Sequence, residues 1–100
     1  MDTIRLTDSL YKSIDVWKIC PGRFAIRYRC FEIVDKNRYC VQSADYFNYP
    51  IDRDQIARFD KQFLELLIEC IPDERTETYS SLEEAIRRHE EEFKDMEKGG

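Results

Sequence analysis

The sequence predicts an α+β domain: a three-stranded antiparallel meander followed by two helices packed on one face of the sheet. Three observations lead there. Runs rich in β-branched and aromatic residues fill the first half of the chain. Helix-period runs fill the second half. Compact turn signals separate the runs. A chain of 100 residues fits a single domain.

Residues 1–13 stay open between two readings. "TIRL" alternates like a short extra N-terminal strand, whereas Leu10, Ile14 and Trp17 suit a helix. "IDVWKIC" (14–20) reads as the first strand, and "PG" at 21–22 as the turn after it. "RFAIRYRCFEIV" (23–34) reads as the second strand. Its apolar residues run 24, 26, 28 and 30, then change phase to 31 and 33. One extra residue produces such a change, so a bulge is expected near Cys30–Phe31. "DKNR" (35–38) is a polar hairpin turn in which Asn37 can take a positive φ. The third strand covers residues 38–47, and strands this close in sequence pair most simply as a meander. A two-residue turn at Lys36–Asn37 would set Ile33 opposite Cys40 and Cys30 opposite Ser43.

The first helix is expected over residues 52–71, with apolar positions at 56, 59, 63, 66, 67 and 70 on one face. Asp52 or Asp54 can cap its start, and Pro72 lies just past its end. Leu64, Ile68 and Ile71 widen the stripe beyond what one covered face requires. "PDERTETY" (72–79) is a polar connection with room for a short extended piece. The second helix is expected over residues 80–96. Ser80 with Glu83, or Ser81 with Glu84, fits a capping box. Leu82, Ala85, Ile86, His89, Phe93 and Met96 form its apolar stripe.

Composition narrows the class of protein. An apolar fraction of 42%, with 13% aromatic, supports a packed core. The greasiest run, "FLELLIECI", is broken by two glutamates and falls short of the ~20 apolar residues of a membrane span. No secretion signal is visible in the first 15 residues, which points to a cytoplasmic, reducing compartment. Residues 1–49 carry eight Lys/Arg against six Asp/Glu, and residues 50–100 carry eight against fifteen. The acidic half is the helical half, an unfavourable surface for a general DNA binder.

Four groups of residues invite a chemical reading. Arg23, Arg27 and Arg29 lie on the face of the second strand opposite Phe24, Ile26 and Tyr28. An RNA-binding sheet places exposed aromatics beside its basic residues. Here the aromatics share a face with Ile26, so the arginines are expected to keep a wet sheet face soluble. Asp15, Asp45 or Glu32 would pair with them. Surface pairs contribute about 0–1 kcal/mol each, so replacing Arg27 with Ser is expected to barely move the melting point. Cys20, Cys30, Cys40 and Cys70 lack the short paired spacing of a zinc site. His89 sits on an apolar stripe, where packing is the simpler role. "HEEEF" lacks the second histidine of a metalloprotease helix, and glycines at 22, 99 and 100 cannot build a phosphate loop.

The expectation is therefore a small non-catalytic protein-interaction or regulatory domain of bacterial type, with no catalytic set, metal site or cofactor. It would take a protein partner or self-associate through Phe63, Leu64, Leu67, Ile68 and Ile71, with Tyr46 and Tyr49 as anchors. An alternative is a nucleic-acid-associated regulator using Arg23, Arg27, Arg29 and Arg38. A weaker alternative is a small-ligand-binding domain with a pocket between sheet and helices.

Overall fold

The computed structural model describes residues 9–99, with side chains through residue 92. The chain is α+β. Strands β1 (Tyr11–Cys20), β2 (Phe24–Ile33) and β3 (Arg38–Asn48) form an antiparallel sheet in the order β1-β2-β3. Helix α1 (Arg53–Glu69), the single turn α2 (Pro72–Arg75) and helix α3 (Leu82–Gly99) follow. The suggested strand at "TIRL" lies outside the described residues.

The two long helices do not share a face of the sheet, in contrast to the sequence expectation. Ile26, Tyr28 and Cys30 of β2 meet Leu82, Ala85 and Ile86 of α3. Phe31 and Ile33, with side chains on the other side of the same strand, meet Phe63 and Leu67 of α1. β2 is thus the middle layer of a helix–sheet–helix sandwich. Tyr28, Arg29, Cys30, Phe31 and Ile33 are all buried.

This double cover corrects the reading of the phase change in β2. The strand runs without an extra residue, and its apolar pattern changes phase because each face has its own core. A register shift does occur at the expected level, between Arg29 and Cys30, but the extra residue is in β3. Arg29 pairs with Ser43 and Cys30 with Val41, so Gln42 is left over. Its side-chain amide donates to the Phe63 carbonyl at 3.3 Å, tying the bulge to α1. The β2–β3 turn is also longer than two residues. Ile33 pairs with Arg38 and Phe31 with Cys40, with Asn37 at φ 52° in the turn.

Local signals explain the helix starts. Asp52 accepts from the Asp54 amide at 2.9 Å and caps α1. Ser81 accepts from the Glu84 amide at 3.1 Å, the first half of a capping box for α3. Pro72 occupies the first position of α2, where its missing N–H is not needed. The connection then makes a one-residue bridge: the Tyr39 and Tyr79 amides each donate to the other's carbonyl at 2.8 Å. Phe93 and Met96, placed on the α3 stripe from sequence, lie outside the described side chains.

Candidate docking cleft at the hairpin end of the sheet

The β1–β2 turn sets up the site. Gly22 has φ 88° and Arg23 has φ 60°, so the chain reverses through two left-handed residues. The Arg23 carbonyl accepts from the Tyr49 amide at 3.1 Å, which fixes the end of β3 beside the turn. The Arg23 guanidinium lies over the Tyr49 ring, 5.3 Å from its centroid. Tyr49 is joined to Pro50 by a cis peptide bond, and the chain then runs through Ile51 into α1.

Between these segments lies an apolar cleft of about 410 Å³. Ligand sites fall in the range of about 300–1,000 Å³. Trp17 and Ile19 form one wall, Phe47 and Tyr49 another, and Ile51 and Ile56 the side toward α1. The charged residues of the lining are Arg23 and Arg27, with no carboxylate among the described lining residues. The cleft is open, and its apolar walls are exposed to solvent. Trp17 is 51% exposed, Ile19 79%, Tyr49 66% and Ile51 55%.

The back of the cleft is a buried ion network. Arg27 donates from Nε and Nη2 to one oxygen of Asp45, at 3.1 and 2.8 Å. Arg29 donates to the same oxygen from Nε at 2.9 Å and to Asp60 of α1 from Nη2. Side-chain exposure is 12% for Arg27, 7% for Arg29 and 7% for Asp45, against 53% for Asp60. The Arg27 guanidinium also sits 5.5 Å from the Trp17 ring centroid and 5.1 Å from that of Phe47. Burial disfavours the charge on Arg29, but its bonds to Asp60 and Asp45 outweigh this and raise its pKa.

The wet arginine face expected from sequence is therefore covered. Asp45 is a partner, as the alternation suggested. Asp60, from a helix, could not be read from strand spacing. Nor do the four arginines form one surface. Arg23 is exposed at the hairpin, Arg27 and Arg29 lie beneath α1, and Arg38 donates to the Thr78 side chain and carbonyl at 3.2 and 2.7 Å. The assigned interface residues divide as well. Phe63 and Leu67 pack into the core, whereas Leu64, Ile68 and Ile71 are exposed on α1 and just beyond it. Tyr46 is exposed against Phe24 on the α3 side, and only Tyr49 belongs to the cleft. Trp17, Ile19, Phe47, Ile51 and Ile56 were not assigned to a site from sequence. The available signal was "VWKI", whose apolar residues fall on both faces of β1.

Elsewhere the titratable groups serve packing. His89 meets the Tyr28 ring edge-on at 6.2 Å, and burial lowers its pKa. The Tyr28 hydroxyl donates to Glu90, which also takes a 3.0 Å bond from Lys18. Burial pushes the Cys30 thiol up to about 12 and the Cys40 thiol up to about 11. The described residues contain no group of three or more His, Cys, Asp or Glu side chains arranged to hold a metal, and no helix long and apolar enough to cross a membrane. Compared with protein-family models, curated proteins and solved structures, the chain matches none.

Proposed function

We propose that the chain is a non-catalytic protein-docking domain whose partner seats on the hairpin end of the sheet. One observation carries this reading: four apolar residues that line the cleft, Trp17, Ile19, Tyr49 and Ile51, are each more than half exposed. A protein surface that inserts one side chain covers the cleft and its exposed walls together, the usual arrangement of a buried anchor within a water-excluding ring. The lining also favours binding over chemistry. Its nucleophilic groups among the described residues are the Cys20 thiol and the Tyr49 phenol, with no histidine or carboxylate in the lining to activate them, and the nearby Asp45 is engaged by two arginines. The four free thiols suit a reducing compartment such as the cytoplasm.

Self-association is the second reading, supported by Leu64 and Ile68, which are 54% and 83% exposed on α1. One pair of variants separates the two. Ile19→Asp and Ile68→Asp are compared with wild type for retention of proteins from the source cell and for mass by light scattering. Docking at the hairpin end predicts that Ile19→Asp alone loses a partner that also binds wild-type protein when purified. If Ile19→Asp retains everything wild type retains, the proposed site is wrong. A dimer dissolved by Ile68→Asp would favour the second reading.

A further inference from the structure

Resting on the docking reading, we infer that the partner presents a large apolar side chain with a carboxylate beside it: an acidic-apolar peptide segment. The cleft takes the apolar group between Trp17, Phe47 and Ile56. The carboxylate is assigned from charge. Both charged residues of the lining are arginines, although the whole chain carries a net charge of −5. They are not equivalent. Arg27 is neutralised by Asp45 at 2.8 Å and held at the back of the cleft. Arg23 stands at the lip, exposed, with its guanidinium on the Tyr49 ring and no carboxylate partner among the described residues. An arginine held over an aromatic ring through its π face retains N–H donors for a planar oxyanion. The left-handed backbone at Arg23 and the bond from the Tyr49 amide to its carbonyl hold the main chain from which that side chain extends.

The protein carries its own reporter. Trp17 is the only tryptophan and forms a wall of the cleft. Its emission is followed while three probes are titrated: a short peptide with phenylalanine flanked by aspartates, the same peptide with lysines in place of the aspartates, and dodecanoate. The acidic peptide is expected to shift Trp17 emission with an affinity at least about tenfold above that of the lysine peptide. That affinity should weaken as salt is raised, a test that needs no variant. Arg23→Glu should reverse the preference, and Arg23→Lys should retain it in part. If both peptides bind equally, the carboxylate assignment is overturned while the docking reading stands. If dodecanoate alone binds, or no probe moves the emission, both are overturned.

Discussion

The ion network behind the cleft gives the sharpest test of the structure. Asp45→Asn keeps the shape of the side chain and removes its charge. Arg27 and Arg29 would then share a neutral oxygen in a region where their side chains are 12% and 7% exposed. Removing one partner of a buried pair costs about 3–5 kcal/mol, because the remaining charge has lost its compensation. Asp60 still reaches Arg29, which favours the lower end of that range. About 3 kcal/mol is a large share of the roughly 5–15 kcal/mol that keeps a domain folded. For a chain of this size it lowers the melting temperature by about 12 °C or more. Asp60→Asn is the internal control. Its side chain is 53% exposed, so water takes up its role and the cost should stay near 0–1 kcal/mol. The triple change Arg27→Met, Arg29→Met and Asp45→Leu removes all three buried charges together and should cost far less than Asp45→Asn. Thermal and urea unfolding, followed by circular dichroism, measure all three variants. If Asp45→Asn melts within about 1 kcal/mol of wild type, alongside Asp60→Asn, the network is not buried as described and α1 does not cover that face. The same reasoning revises the effect expected for Arg27→Ser, which now strips a buried pair and two ring contacts.

Two further predictions concern groups under α3 and inside the sheet. Burial lowers the His89 pKa, so the unfolded chain takes up that proton first as pH falls. Stability should therefore drop as pH passes down through the ordinary histidine range near about 6.5, and His89→Gln should flatten that part of the melting-temperature profile. An unchanged slope in the variant would show that His89 is not the group responsible. Cys30 and Cys40 are fully buried with raised pKa values, whereas Cys20 and Cys70 are partly exposed. Iodoacetamide on the native protein, read by peptide mass spectrometry, should label Cys20 and Cys70 well before the buried pair. Equal labelling of Cys30 would mean that the sheet is open on its α3 side.

The parts legible in the sequence were those set by local chemistry. Period-two runs marked the three strands, Asn37 and Gly22 marked reversals, and Asp52 and Ser81 marked helix starts. What local pattern could not give was the side of the sheet on which each helix settles. "RFAIRYRCFEI" shows this directly. Alternating Arg and apolar residues suggest one wet face, and that inference fails when a helix supplies its own countercharge, as Asp60 of α1 does. Even so, Phe31 and Ile33 on the arginine face already signalled a second core. The cleft was harder to foresee, because Trp17, Phe47 and Ile51 lie on three separate segments that meet only after the sheet forms.

The position of the cleft follows from the dimensions of the fold. Strands lie about 4.8 Å apart, and a helix with its side chains is about 10 Å wide, so one helix covers roughly two strands. α1 lies over β2 and β3, where Phe63 stacks on Phe31 and Phe59 meets Phe47. The same side of β1 is left largely bare: Ser13, Asp15, Trp17 and Ile19 are all exposed. On the opposite side α3 reaches further, and Ile14, Val16 and Cys20 join its core. The bare strip changes character along its length. Ser13 and Asp15 are what solubility asks of an uncovered edge strand, which is prone to unwanted pairing. Trp17 and Ile19, two positions further along, are the opposite, and they face the one end where Tyr49 and Ile51 add more exposed apolar surface. Ile19, 79% exposed, adds little to the packing, whereas Trp17 keeps contacts to Phe47 and Arg27 and still leaves half its surface open. Their apolar character fits the docking proposal, in which a partner covers this end of the strip.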